Sequence, residues 1–479
     1  MIALNPESRT PLYEQLYAAL ADEIRSGRRA PGTALPGRRT MAARQGVSVN
    51  TVDTAYQMLA AEGLAEARPR SGFYVQKTYG MLHSRTPTRQ ADGPHTAPAQ
   101  GPEVRFDLST GSVDTDLFPA RSWGRIQREL LYQSPGLLQR GEMQGDEPLR
   151  VQIARYLSAY RGVDCTPEQI VVGAGIEYLL GCLAHLFGGG TAAVENPGYT
   201  RTLAVLQNNG IPCTLVDIDA SGLPAPALER SGANLCYLTP SHHFPTGITM
   251  PAPRRAELLA WACARPGRYI LEDDYDSEFR FDIRPLPSLQ GMAGRDGPVV
   301  YLTTFSKSLA PGIRIACMVL PHGLLDRYRQ DFALYANTVS RFEQQTLCNF
   351  MAGGYFTRHL ARMRLRYKRR MEAFAAALRQ ALPGVTLGSV HSGLHFLLTL
   401  PGAGGEHAMV AAAAREGVRL RGLSEYYLAR PENCPPDTVV AGYSALKKDD
   451  IPAVAADDRR RPSLFCLGSY LAAAPPEIS

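Results

Sequence analysis

The amino-acid sequence predicts a multidomain α/β protein, and two observations carry that reading. The first is a boundary. From about residue 78 to 102 the chain turns to Thr, Pro, Gln, Gly and His with almost nothing to bury, so this stretch reads as a semi-extended, mobile linker. The second is a change of pattern across it. Residues 1–77 carry helical periodicity that ends in a ribbon. Residues 103–456 alternate short apolar runs with helical segments, which predicts a large, mostly parallel α/β sheet and a smaller C-terminal α/β lobe. Residues 457–479, opening near Arg459-Arg-Arg461, match no pattern and are expected to be a tail.

Composition narrows the class. The 479 residues are 45% apolar, enough for substantial cores, and no apolar run reaches membrane-spanning length. The N-terminus lacks a basic region followed by an apolar one, so a soluble, cytoplasmic protein without a membrane partner is expected. Nine scattered cysteines without a Cys-x-x-Cys pair fit reduced thiols and argue against a metal site. The net charge of +6 is compatible with a nucleic-acid partner without requiring one.

In the first part, Pro11 to Ser26 carries Leu12, Leu16, Ala19, Leu20 and Ile24 at amphipathic spacing and stops near Gly27. Arg39 to Arg44 makes a short helix, Gln45-Gly46 turns, and Ser48 caps a third helix running to about Glu62. Leu64 to Val75 alternates as a β-ribbon with Arg68-Pro-Arg-Ser-Gly72 at its tip. Helix, turn and helix followed by a basic-tipped ribbon is a winged helix-turn-helix. The segments Pro11-Leu-Tyr-Glu-Gln-Leu16, Leu35-Pro-Gly-Arg-Arg39, Gly46-Val-Ser-Val-Asn-Thr-Val52, Ala55-Tyr-Gln-Met-Leu59 and Arg70-Ser-Gly-Phe-Tyr-Val75 resemble the DNA-binding domain of GntR-type repressors. The resemblance implies that Arg39 holds phosphate, that the start of the third helix enters the major groove, and that Gly72 lets the wing reach the minor groove. Arg39, Ser48, Asn50, Thr51, Arg70 and Gly72 are then the candidates for double-stranded DNA. The chain departs from the family at Gly37 and Val49, usually Ser and Arg, so its sequence preference is expected to differ.

In the second part, strands are expected at Gln169–Val172, Thr191–Val194, Pro212–Val216, Leu235–Leu238, Tyr269–Leu271, Val299–Leu302 and Ile313–Leu320. Residues 324–382 read as almost wholly helical, and Val385 to Leu400 returns to strand. Ligand sites in such sheets lie beyond the carboxyl ends of the strands. Chemistry-bearing residues cluster at those ends. Lys307 follows the Val299 run, flanked by Thr304 and Ser306 with Arg314 seven residues on, which suits an internal Schiff base to pyridoxal 5′-phosphate beside a phosphate clamp. Gly175, Ile176 and Glu177 would offer backbone amides at a helix start. Asp273 is assigned to the pyridine nitrogen, Tyr275 to the phenolic oxygen and Tyr199 to ring stacking. Singly, such acid runs and Pro-Gly-Tyr turns are ordinary solvated turns; together, in order and at strand ends, they form a cofactor set.

The segments Leu271-Glu-Asp-Asp-Tyr-Asp-Ser-Glu-Phe279, Thr304-Phe-Ser-Lys-Ser-Leu-Ala-Pro-Gly312, Thr239-Pro-Ser-His-His-Phe-Pro-Thr-Gly247 and Gly145-Asp-Glu-Pro-Leu-Arg150 resemble fold-type I aminotransferases. Joined, the two parts resemble the MocR/GabR-like branch of GntR regulators, over about residues 10–455. The resemblance implies a homodimeric, pyridoxal-phosphate-dependent regulator whose aminotransferase-like domain senses the cofactor or an amine or amino-acid effector, attacking at Lys307, with Arg201 as the effector's carboxylate partner. Three departures matter. Arg140 stands where a neighbouring subunit's Tyr is common, His243 where Gln is common, and Gly442-Tyr-Ser-Ala445 lacks the arginine that clamps a substrate carboxylate. The alternative is an active aminotransferase with an appended DNA-binding domain.

Overall fold

The computed structural model describes residues 2, 4–8, 10–77, 104–281, 286–429, 431–447 and 449–455, so the expected linker and tail lie outside the described residues. The chain divides into two compact units, one within residues 1–100 and one within 101–479.

The first unit is built from α1 (Leu12–Arg25), α2 (Arg38–Gln45), α3 (Val49–Ala61), β1 (Ala65–Arg68) and β2 (Gly72–Val75). The apolar stripe of α1 places Leu16, Leu20 and Ile24 in one core with Val52, Ala55 and Leu59 of α3 and with Phe73 and Val75 of the ribbon. Gly46 ends α2 in the left-handed region at φ 67°, which a glycine adopts without a Cβ clash. Ser48 caps α3, its hydroxyl accepting from the Thr51 amide at 3.0 Å. The strands pair antiparallel with Arg68 opposite Gly72, and the Leu35 amide donates to the Phe73 carbonyl at 2.8 Å, tying the loop before α2 to the wing.

The second unit opens with the two-residue strand β3 (Phe106–Asp107), followed by α4 (Ala120–Gln133) and α5 (Glu147–Arg161). Its main sheet contains β4 (Ile170–Gly173), β5 (Ala192–Asn196), β6 (Cys213–Asp217), β7 (Leu235–Leu238), β8 (Tyr269–Asp274), β9 (Val299–Thr304) and β10 (Ala316–Val319). The order is β4-β10-β9-β8-β7-β5-β6, parallel throughout except β10, which runs against both neighbours. Helices cover both faces, so the central strands are apolar runs without alternation. α6 (Ile176–Leu186) starts directly beyond β4, and α7 (Thr200–Asn208) beyond β5. The carboxyl ends of β4, β5, β7, β8 and β9 therefore share one edge of the sheet.

The smaller lobe is an antiparallel sheet of β11 (Thr386–Gly388), β12 (His395–Thr399), β14 (Arg421–Gly422) and β15 (Thr438–Gly442), ordered β11-β12-β15-β14. A short β13 (Val418–Arg419) pairs with β3. The helix Tyr355–Ala381 lays Met371, Phe374 and Leu378 into the lobe's core with Phe396, Leu398 and Tyr443.

Several boundaries differ from expectation, most by one or two residues, and the larger differences have physical causes. The run expected as strand from Ile313 begins only at Ala316, because Pro311–Ile313 forms a 3-10 turn and Arg314 sits at φ 55°. The helical stretch 324–382 is three helices, His322–Asp331, Arg341–Ala352 and Tyr355–Ala381, the last two parted at Gly354 with φ 67°. The strands expected to stop at Leu271 and Leu302 continue to Asp274 and Thr304, because their polar ends find buried partners. Truncating the fully buried Leu59 to Ala should cost the first unit about 2–5 kcal/mol. Hydrogen exchange should quicken through residues 12–75 and stay unchanged in the seven-stranded sheet.

Candidate functional site

The shared edge of strand ends opens into a cavity of about 480 Å³. Lys307, Asp273, Tyr275, Tyr199, Thr304, Ser306, Arg314, Ile176, Glu177 and Arg201 all line it, drawn from segments up to 138 positions apart. Gly175 stands just behind, at φ 96° as the N-cap of α6. A Cβ there would lie 2.2 Å from Arg314 Nη2, so both its backbone angle and its space require glycine.

Alternation along β8 sorts its acids. Glu272 and Asp274 face the underside, and Asp273 faces the cavity. Glu272 accepts from the Leu289 and Gln290 amides at 2.9 Å each, and Asp274 Oδ2 accepts from Arg161 Nε at 2.5 Å and the Tyr301 hydroxyl at 2.6 Å. Asp273 Oδ2 accepts from the Tyr237 hydroxyl, but its Oδ1 is buried without a hydrogen-bond partner among the described residues. Burial pushes Asp273 up to about 7, against the pull of the Tyr237 hydrogen bond.

Lys307 projects from the loop beyond β9. Its Nζ donates to the carbonyls of Thr110 and Gly111, from the segment following β3. Burial pushes its ammonium down to about 8, while Asp276 pulls it upward and Arg201 lowers it further. A lysine so shifted holds a substantial neutral fraction near neutral pH and is a competent nucleophile. Thr304 and Ser306 hydroxyls lie 2.8 Å apart, and the Ser306 amide donates to Thr304 Oγ1 at 3.1 Å.

Aromatic side chains form one wall. Tyr199 meets Phe244 edge to face at 5.3 Å between ring centroids, and Phe244 meets Tyr426 in the same way at 5.0 Å. The Tyr275 hydroxyl lies 3.0 Å from His242 Nδ1, which is 2.9 Å from Asp276 Oδ2. Burial raises the Tyr275 phenol well above its ordinary value, keeping it protonated. At the helix end, Arg314 Nη2 donates to Glu177 Oε2 at 3.0 Å and to the Ala174 carbonyl at 3.3 Å, and Arg201 Nη1 lies 3.7 Å from Glu177 Oε1. Glu177 was expected to contribute only its amide; its carboxylate also engages both arginines.

Several lining residues had no signal in the sequence. Thr110 and Gly111 come from an irregular segment, Tyr237 from inside a buried strand, and Leu394, His395, Arg421 and Tyr426 from the smaller lobe. His242, in contact with the cavity-lining Tyr275, belongs to the segment of residues 239–247, whose sequence carries no signal for its role. His243 is buried and does not line the cavity; burial drives it to about 3, so it is neutral, with Nδ1 2.7 Å from Thr246 Oγ1. Arg140 is likewise outside the cavity, donating to the Leu334 carbonyl at 2.7 Å. Gly442-Tyr-Ser-Ala445 is structural, with the Ser444 hydroxyl donating to the Ser112 carbonyl at 2.6 Å.

On the first unit, Arg39 is exposed in the first turn of α2, and Val49 and Asn50 are exposed in the first turn of α3. Ser48 and Thr51 hydroxyls lie 2.8 Å apart, engaged with each other at the cap. At the wing tip Arg70 sits at φ 62° and Gly72 at φ 103°.

Residues 12–75 match the family model for bacterial regulatory proteins of the gntR family. The chain is 37% identical over 452 residues to the HTH-type transcriptional regulator YhdI of Bacillus subtilis, covering 94% of this chain and 95% of that one. It is 31% identical to the HTH-type pyridoxine biosynthesis transcriptional regulator PdxR of Corynebacterium glutamicum, covering 89% and 91% respectively. The chain belongs to the MocR-like branch of the GntR regulators. Its second unit has the aminotransferase fold. A kynurenine aminotransferase of Pyrococcus horikoshii, solved with PMP, superposes with a TM-score of 0.64 at 25% identity, covering 73% of this chain and 88% of that one. This MocR-like protein is thus a transcriptional regulator that joins a DNA-binding winged domain to an aminotransferase-like domain, and among its described residues no helix is long and apolar enough to cross a membrane.

The depressed Lys307 amine is open to a direct check. Labelling by an amine acylating reagent, followed by peptide mapping, should rise with pH to a midpoint near 8, below the 10.5 of an ordinary lysine. Replacing Asp274 by Ala leaves Arg161 charged and unpaired in a buried site, and should cost about 3–5 kcal/mol of stability. A thermal melt reads that loss, and the Asp274→Ala/Arg161→Met double variant should recover part of it.

Proposed function

We propose that this regulator binds pyridoxal 5′-phosphate in the cavity of its aminotransferase-like domain and reports the cofactor, or an amine or amino-acid effector, to DNA bound by its winged domains. The observation that carries the reading is Asp273 Oδ1, a buried carboxylate oxygen without a partner among the described residues, on a side chain that lines the same cavity as the Lys307 amine. A protonated pyridine nitrogen is a partner such an oxygen lacks. The site fits the rest of the cofactor too. Gly175, Ile176 and Glu177 give the amino end of a helix, Thr304 and Ser306 give hydroxyls and Arg314 gives a guanidinium for a phosphate, while Tyr199 and Tyr275 give an aromatic wall and a phenol.

Bound there, the cofactor would supply an aldehyde carbon for an amine and a pyridinium as electron sink. Lys307 supplies the attacking amine, its neutral form favoured by burial. Tyr275 stays a hydrogen-bond donor, steadied by His242 and Asp276. We assign an effector's carboxylate to Arg201, which lines the same cavity. In the winged domain we assign phosphate contact to Arg39, sequence reading to the α3 start at Ser48, Asn50 and Thr51, and minor-groove approach to Arg70 and Gly72, with two domains of a homodimer on operator half-sites. We assign residues 1–77 to the DNA-binding domain, 78–102 to a linker, 103–456 to the sensor and 457–479 to a tail, in a protein of the cytoplasm. The enzymatic alternative is not favoured, since the relatives matching along both parts are named regulators.

Purified protein given pyridoxal 5′-phosphate should gain the visible absorption band of a lysine-attached cofactor, and Lys307→Ala should not; absence of the band in wild type refutes the cofactor reading. In gel retardation, Arg39→Ala should weaken binding to all sequences alike, by about tenfold or less, while substitutions at Val49 or Asn50 should change which operator is preferred. Uniform loss in both cases would overturn the assignment of the reading helix.

A further inference from the structure

Glu177 is an acidic side chain in a cradle otherwise built for an anion. It lies in the first turn of α6, behind which Gly175 makes room for the Arg314 guanidinium. Its carboxylate bridges two arginines, Oε2 at 3.0 Å from Arg314 Nη2 and Oε1 at 3.7 Å from Arg201 Nη1. Burial raises the Glu177 carboxyl, but its own backbone amide, Arg314 and Arg201 outweigh that and hold it below the usual range, so it is charged at neutral pH. The chain's own anion therefore sits where the helix dipole and two guanidinium groups would otherwise receive a ligand's.

An incoming phosphate carries close to two negative charges at neutral pH. It meets Glu177 in one of two ways: it displaces the carboxylate from Arg314, or it shares the guanidinium with a like charge beside it. Both weaken binding. The displaced side chain has somewhere to go, because it is 38% exposed and can be hydrated without refolding the helix. Arg314, held in the left-handed region at φ 55° and bonded to the Ala174 carbonyl, keeps its place either way.

We propose that Glu177 is a built-in competitor for the phosphate subsite, lowering cofactor affinity so that occupancy of Lys307 follows cofactor supply. This rests on the cofactor reading above and deepens it. Glu177 acts on affinity and on the preference between phosphorylated and unphosphorylated ligands; it has no part in bond making. Because the same carboxylate also holds Arg201, filling the phosphate subsite frees or re-pairs the arginine assigned to an effector carboxylate, so the two ligands are coupled through one side chain.

The test uses the full-length protein, stripped of cofactor by dialysis, as wild type, Glu177→Gln and Glu177→Ala. Each is titrated with pyridoxal 5′-phosphate and with pyridoxal, following the visible band, with circular dichroism confirming the fold. Gln keeps the shape and an acceptor oxygen while removing the charge. Both variants should bind pyridoxal 5′-phosphate about tenfold more tightly than wild type, about 1.4 kcal/mol, with pyridoxal affinity unchanged within about twofold. Inorganic phosphate should raise the thermal midpoint of the Gln variant more than that of wild type. Equal affinities for pyridoxal 5′-phosphate in wild type and variants overturn the proposal while leaving the cofactor reading intact. So does an equal gain for both ligands, which would place the effect outside the phosphate subsite. No band in any form, at saturating ligand, removes the cofactor reading and this proposal with it.

Discussion

Three consecutive carboxylates end β8, and the arrangement around the cavity depends on how each is satisfied. Strand alternation sends Glu272 and Asp274 to one face and Asp273 to the other. The underside pair is compensated by protein groups, Glu272 by two backbone amides and Asp274 by Arg161 and Tyr301. Such compensation is what permits buried charge at all, since an unpaired ion in that setting costs several kcal/mol. Arg161 belongs to the end of α5, so the ion pair also fixes that helix beneath the strand end. Asp273 faces the cavity with Tyr237 on one oxygen and, among the described residues, no hydrogen-bond partner on the other, and on the underside Asp274 Oδ1 is likewise without one. The underside acids are thus tied to an arginine, a tyrosine and two backbone amides, while the cavity-facing acid meets a single tyrosine hydroxyl.

This sorting explains why part of the site was legible in the sequence. Short apolar runs closed by acids, hydroxyls or glycine mark strands that end at a polar edge, and Lys307, Asp273, Gly175 and Tyr199 could be placed at one cavity because parallel strands bring their carboxyl ends together. The winged unit was legible for a different reason: its helices are local, and Ser48 and Gly46 mark the cap and turn within a few residues of each other. What could not be read has a common physical cause. Thr110, His395 and Tyr426 reach the cavity through contacts between segments hundreds of positions apart, which no local period encodes. The turn at Arg314 was missed because Ile313-Arg-Ile-Ala-Cys-Met-Val319 has a strand's composition, and only Pro311-Gly312 signalled the break.

The side chain of Glu177 shows the limit of motif reasoning from the other direction. A glycine turn before a helix predicts free amides for an anion, and the backbone does take that form. Motif logic counts amides and overlooks the charge of the residue that carries one of them. Here that residue brings a carboxylate to Arg314 and Arg201, so the local electrostatics are closer to balance than the backbone alone implies. Such a balance suits a site whose occupancy varies better than one that retains its ligand permanently.

The cavity's walls come from both lobes of the second unit, the main sheet supplying Lys307, Asp273 and Arg314, and the smaller lobe Leu394, His395, Arg421 and Tyr426. A ligand bound between them makes contacts that depend on how the lobes are set, and by linkage it favours whichever setting it binds better. In an aminotransferase that preference assembles a substrate for turnover. Joined to a winged domain, the same preference is sufficient for signalling even if no product leaves. Catalysis needs a barrier lowered, whereas sensing needs only a difference in binding free energy between two states, so one fold can serve either use. At Gly442-Tyr-Ser-Ala445 the residues serve the lobe itself, for Ser444 is buried and its hydroxyl donates to the Ser112 carbonyl.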